Sequence, residues 1–236
     1  MPDNTAATAS TLPALIAQEV ARAGGWLPFD RFMHLALYAP HLGYYAGGAR
    51  QFGTLARDGS DFVTAPELSP LFARALAVQV GESLAATGTD EVWEFGAGSG
   101  ALAEGVLTGL QRLGQPVVRY TIVDVSGALR ARQQQRLAAF GDTVQWASAL
   151  PERLRGVVLG NEVLDAMPVK LLARTDGVWH ERGVGVSADA TRFTWADRPT
   201  PLRPPIEVPG THGYVTEIHP QAHAFAATVA EALARG

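Results

Sequence analysis

The chain has 236 residues, 47% of them apolar and 18% charged, long enough for one large domain with appendages and without the signature of a disordered chain. A net charge of −4 supplies no global field to attract nucleic acid or an anionic membrane. The absence of cysteine removes disulfides, thiolate nucleophiles and cysteine-ligated metal centres, and suits a reducing compartment.

Asp3, and the lack of any basic residue before Arg22, depart from both a secretory signal and an Arg-rich transit peptide. No apolar run approaches the roughly 20 residues a membrane helix needs, so the expectation is a soluble cytoplasmic protein. The first ten residues are small and polar and should fray. From Leu12 to Ala23 the apolar spacing is helical, and Gly24-Gly25 stops it. A second helix is expected from about Asp30 to Tyr38, broken by Pro40 and followed by an aromatic turn with Gly43, Tyr44 and Tyr45. Residues 46–63, rich in Gly, Ser and charge, read as a loop around an entrance. Ser69 and Pro70 then open a helix as N-cap and first helical residue. Its expected inward stripe is Leu71, Phe72, Ala75, Leu76, Gln79 and Val80, and it should end near Gly88.

From residue 91 strands and helices alternate: VWEF, the turn GAGSG, the helix ALAEGVLTGLQRLG, the β-branched run VVRYTIVDV, a helix capped by Ser126, then TVQW and GVVLGNE. This order with short connections predicts a parallel α/β sheet covered by helices on both faces. After Pro168, VKLLART, VWHERGVGV and RFTWADR are separated by turn residues and predict an antiparallel meander. RPTPLRPPIEVPG is a Pro-rich connector, and HPQAHAFAATVAEALARG a final helix.

The chemistry centres on EVWEFGAGSGAL, residues 91–102. Gly96, Gly98 and Gly100 lead a strand into a helix, where missing Cβ atoms admit a ligand close to the backbone and unpaired N–H groups face it. Gly96, Gly98 and Ala101 also satisfy the relaxed dinucleotide fingerprint. Glu94, just before the glycines, would repel a pyrophosphate but suits the ammonium and sulfonium of S-adenosyl-L-methionine. Asp124 ends the next strand, where an acid accepts from ribose hydroxyls; a dinucleotide enzyme would carry it too, and it would serve equally as a helix cap. Trp146 and Ser148 follow the third strand as adenine-pocket candidates, with a core role open for the indole. Asn161, Glu162 and Asp165 follow the fourth strand, on the side where open α/β sheets bind ligands, although a cap explains Asn161 and Asp165 as well. No serine–histidine–acid set is evident, and His180, His212, His219 and His223 form no metal motif, so no metal is expected.

Together PHLGYY (40–45), DFVTAPELSPLF (61–72), EFGAGSGAL (94–102), VDVSGALRARQQQRL (123–137) and NEVLDAMPVKLL (161–172) show that the chain resembles the MidA-like methyltransferases, whose mitochondrial member assists respiratory complex I assembly. The resemblance implies a Rossmann-like class I methyltransferase with a helical N-terminal extension and pocket cover (1–88), and a cofactor-binding domain (89–236) with an antiparallel insertion at about 169–218. It also implies S-adenosyl-L-methionine as cofactor, a protein arginine as acceptor, and mitochondrial location for eukaryotic relatives. From the charge and the apolar runs no nucleic-acid or membrane partner is expected, and a homodimer stays open. Thr64, Pro66 and Glu67 would belong to the pocket cover, Gly96, Gly98 and Gly100 would line methionine and ribose, and Asp124 would hold the ribose. Transfer to a guanidinium needs carboxylates to orient it, with Glu162 first, Asp165 second, and Asn161 orienting cofactor or acceptor. Family members continue past a helix like 219–235, so this chain reads as a form lacking the C-terminal strands. Two rival functions share the glycine turn: a nicotinamide-dependent oxidoreductase, and an assembly factor that binds the cofactor without catalysis.

Overall fold

A computed structural model describes residues 11–45, 64–124, 127–207 and 209–236. The loop expected at 46–63, the fraying expected of the first ten residues and the cap expected at Ser126 lie outside the described residues. The chain begins with helix α1 (Leu12–Arg22), strand β1 (Leu27–Pro28) and helix α2 (Phe29–Tyr38). Next come α3 (Ala65–Leu68), α4 (Pro70–Thr87), β2 (Glu91–Phe95), α5 (Ala101–Arg112), β3 (Arg119–Val123) and α6 (Gly127–Arg136). A 3₁₀ turn (Ala138–Thr143) leads to β4 (Val144–Ala147), β5 (Leu154–Arg155) and β6 (Val157–Gly160). Strands β7 (Lys170–Thr175), β8 (Val178–Val186), β9 (Phe193–Pro199) and β10 (Tyr214–Ile218) precede α7 (Pro220–Ala232) and β11 (Leu233–Arg235).

Contacts group the described residues into two units, one drawn from Met1–Ala49 and Ala166–Ala224, the other from Arg50–Asp165 and Phe225–Gly236. The second unit holds a parallel sheet in the order β4–β3–β2–β6, a Rossmann-like arrangement. Its strands are short and almost wholly apolar inside, as sheets covered on both faces must be. Val92, Val106, Leu110, Tyr120, Ile122 and Leu137 lie in one core, each large side chain contributing roughly 1.5–3 kcal/mol by leaving water. Helix α4 starts as expected, with Ser69 Oγ accepting from Leu71 N (3.2 Å) and Pro70 in the first turn. It stops at Gly88, whose φ of 60° is left-handed, the conformation glycine takes at helix ends without penalty.

The buried face of α4 departs from the expected stripe. Ala73, Ala77, Val80, Gly81 and Leu84 face inward, while Leu71 and Phe72 are exposed. The reason is a close helix crossing. A Cβ placed on Gly105 of α5 would lie 2.3 Å from the Ala73 Cβ, and one on Gly109 would lie 2.5 Å from that of Ala77. Small residues, not bulky ones, select this contact.

The sequence boundary at 88/89 also differs from the grouping by contacts, because this crossing binds α4 to the parallel sheet's helices. Helix α7 ends at Ala232, short of the expected Gly236, since Leu233–Arg235 forms a strand parallel to β5. Gly156 N donates to Arg235 O there (2.8 Å), and Leu233 packs with Trp93 and Leu154.

The first unit is an antiparallel sheet ordered β1–β8–β7–β10, with β9 on the other side of β8. Asp176 and Gly177 turn β7 into β8 with φ of 50° and 80°, the paired positive values of a type I′ hairpin. Ile16 and Val20 of α1 pack with Leu27 and Phe193, so the N-terminal helices join this sheet. Lys170 Nζ bridges Asp30 (3.0 Å) on α2 and Glu181 (2.8 Å) on β8. Among the described residues no helix is long and apolar enough to cross a membrane.

Candidate cofactor site

The sheet fixes the site by ending β2, β3 and β4 in register. Immediately after β2, Gly96, Gly98 and Gly100 take φ of 63°, 54° and 85°, values that would strain a residue bearing a Cβ. Gly96 N donates to Val123 O (3.3 Å), and Asp124 N donates to Ala147 O (3.1 Å), which ties the glycine turn to the end of β3 and that end to β4. A Cβ on Gly96 would meet Val163 Cγ2 at 3.2 Å, so the segment after β6 lies against the turn.

Glu94 faces the core beneath this turn and is only 1% exposed. Tyr120 Oη donates to Glu94 Oε2 (2.6 Å). Burial pushes the Glu94 carboxyl up to about 7; the Tyr120 bond opposes this and the charge of Asp124 adds to it. Burial and the neighbouring Glu94 carboxylate drive the Tyr120 hydroxyl well above its ordinary value.

A residue absent from the sequence reading connects these parts. Gln133 of α6 is fully buried. Its Nε2 donates to Gly98 O (2.9 Å) and to Asp124 Oδ2 (3.0 Å), and its Oε1 accepts from Trp146 Nε1 (2.9 Å). Trp146 is half-buried, with the Arg130 guanidinium 5.9 Å from its ring centre. Ser148 is exposed just beyond β4.

A second cluster joins α3 to the glycine turn. Ser99 Oγ bonds to Glu67 and to the Arg136 guanidinium, which lies 3.3 Å from Glu67 Oε1 and 3.4 Å from Glu104 Oε2. Thr64 precedes α3 and its carbonyl accepts from Glu67 N (3.0 Å), while Pro66 sits in that same turn. Ser99, Tyr120, Gln133 and Arg136 were all missed. The available signal was the pair Gln133 and Arg136, polar residues three apart on the side of α6 that also buries Leu137.

After β6, Asn161 is half-buried, and Glu162 and Asp165 are exposed. Glu162 has φ of 53°, a left-handed conformation uncommon for a residue with a long side chain. The structure thus brings the three glycines, Glu94, Asp124, Trp146 and Glu67 together through hydrogen bonds and strand register. It sets Asn161, Glu162 and Asp165 on the segment whose Val163 touches the turn.

Fold and geometry together define a Rossmann-like domain whose glycine turn and acid-bearing strand ends form one hydrogen-bonded cluster. The chain belongs to the family described as "Putative S-adenosyl-L-methionine-dependent methyltransferase", which matches residues 75–236. It is similar to a Burkholderia thailandensis crystal structure with S-adenosyl-homocysteine bound: TM-score 0.86 and 53% identity, covering 95% of this chain and 60% of that one. A second structure from the same species gives a TM-score of 0.81 at 49% identity, covering 95% and 59%. The mitochondrial protein arginine methyltransferase NDUFAF7 homolog of Caenorhabditis elegans is 28% identical over 191 residues, 71% of this chain and 45% of its own. The Danio rerio protein of that name is 27% identical over 209 residues, 75% and 48%. This chain therefore spans about half the length of the curated relatives it matches. These matches bear out the resemblance drawn from the sequence blocks, and with it the Rossmann-like methyltransferase fold.

Proposed function

We propose that this chain forms the S-adenosyl-L-methionine-binding part of a methyltransferase whose acceptor is a protein arginine, in the service of respiratory complex assembly. The observation that carries the cofactor reading is the buried Gln133 amide, which locks the glycine turn, the ribose-side acid and the adenine-side indole into one preformed seat. The residues fit the group. Asp124 offers an acceptor-only carboxylate for vicinal hydroxyls, and Glu94 holds a carboxyl at about 7 that a bound ammonium would ionise. The glycines keep side chains out of the way. Glu67, through Ser99, anchors α3 beside the turn as cover, with Thr64 and Pro66 shaping its entry. The relatives named as protein arginine methyltransferases support the acceptor class.

When bound, the cofactor supplies a methyl group on a sulfonium, an electrophile whose leaving group needs no proton. The chain's own work is then orientation and proton removal. The Glu162 carboxylate attracts the guanidinium and takes its proton at a carboxylate oxygen, Asp165 adds a second negative charge, and Asn161 orients by its amide.

Calorimetry with S-adenosyl-homocysteine and with a nicotinamide dinucleotide tests the cofactor reading. Binding of the first alone is expected; preference for the dinucleotide overturns it. Labelled-methyl transfer into lysate from a strain lacking the protein tests the chemistry, and binding without any labelled protein leaves a scaffold in place of an enzyme. Glu162→Gln should keep cofactor affinity and slow single-turnover transfer by about 10²–10⁴-fold, the range for losing a general base. Transfer at the wild-type rate removes Glu162 from the chemistry.

A further inference from the structure

We propose that Gln133 is the positioning residue of the nucleoside seat, acting through Asp124 and Trp146 to set affinity for the ribose hydroxyls. This rests on the reading of the seat as an S-adenosyl-L-methionine site.

The argument begins with polarity. An indole N–H can only donate, and a backbone carbonyl and an ionised carboxylate can only accept. The three partners of the Gln133 amide therefore dictate its orientation: Oε1 must face Trp146 Nε1, and Nε2 must face Gly98 O and Asp124 Oδ2, as observed. Reversing the amide would set two acceptors against its oxygen. Glutamine is the side chain of this length that supplies one acceptor and two donors without charge. Glutamate would supply no donor when ionised, lysine no acceptor, and methionine neither.

The placement has a purpose beyond packing. Gln133 is fully buried on α6, and each of its partners ends a different part of the seat: the glycine turn after β2, the acid after β3 and the indole in β4. By donating to Oδ2, Gln133 fixes the plane in which the Asp124 carboxylate presents itself. Fixing an acceptor before the ligand arrives removes the cost of ordering it on binding. A mere packing role would be indifferent to which ligand atoms are present.

The test uses that difference. Calorimetry compares S-adenosyl-homocysteine with its 2′,3′-dideoxy analogue in the wild-type chain and in Gln133→Met, which keeps volume and removes all three bonds. Gln133→Met should weaken S-adenosyl-homocysteine by about ten- to a hundredfold and the dideoxy analogue markedly less, since only the ribose contact through Asp124 is absent from that ligand. Combined with Asp124→Ala it should cost clearly less than the sum of the two single losses. Equal weakening of both ligands, or additive losses, shows a structural role and overturns the inference. A wild-type chain that binds neither ligand overturns the site reading itself, which separates the two failures. Should Gln133→Met not fold, Gln133→Glu at two pH values decides. Its ionised carboxylate faces Asp124 and Gly98 O without a donor and must bind weakly, and protonation restores one donor. Recovery of S-adenosyl-homocysteine affinity on acidification, absent in the wild type, supports positioning; no recovery refutes it.

Discussion

Glu94 illustrates how a buried candidate site group is maintained against the stability of its own fold. Its carboxyl sits near 7 when folded against an ordinary value of 4.5. Between those values the unfolded chain has released a proton that the folded chain keeps, so stability falls as pH rises across that window and levels off above it. The total cost above pH 7 is roughly 3 kcal/mol. Glu94→Gln preserves an oxygen that can accept from Tyr120 and removes the titration. Urea unfolding should find the variant more stable than wild type at pH 8, with the two converging below about pH 4.5. Parallel stability curves between pH 4.5 and 7 would contradict this assignment. Wild-type affinity for S-adenosyl-homocysteine should meanwhile rise with pH through 7, because the ligand's ammonium favours the ionised acid. That rise should vanish in the variant. Glu94 stands out in the sequence as an acid within an otherwise apolar run just before a glycine turn. Its partner Tyr120 does not, because a tyrosine in a β-branched run looks like any core aromatic.

The crossing of α4 and α5 explains why helix faces were harder to read than helix positions. Caps such as Ser69 and Gly88 are local chemistry and fall where the sequence puts them. The packed face of α4 depends on its partner, and Gly105 and Gly109 admit Ala73 and Ala77 in place of leucines. Gly109→Ala gains helix propensity of about 1 kcal/mol but forces a Cβ to 2.5 Å from the Ala77 Cβ, an overpacking that costs roughly 1–3 kcal/mol. The expected net effect is destabilisation in urea melts. Adding Ala77→Gly should recover part of it, with a favourable coupling of about 1 kcal/mol or more. A Gly109→Ala variant at least as stable as wild type would show that the helices stand further apart. Short pairings such as β5 with β11 escaped notice for a related reason. Two or three residues carry no periodicity, and their partners lie far away in sequence.

For the chain as a whole, the alternation of strands and helices from residue 91 made the parallel sheet readable, and its glycines and terminal acids pointed to one end of it. What stayed hidden is the connection between those points, which exists only once α6 has packed and turned Gln133 inward. That connection makes the proposed site an instrument as well as a receptor. The indole N–H of Trp146 shares an amide with Asp124, so a change of bonding at Asp124 alters the electronic surroundings of the indole proton. The chain has five tryptophans, few enough for a nitrogen-edited magnetic resonance spectrum to separate their indole signals and for Trp146→Phe to name this one. Its frequency then registers occupancy of the seat from a distance, without any attached dye. In Gln133→Met the wire is cut: a ligand bound at Asp124 would no longer reach the indole along this path.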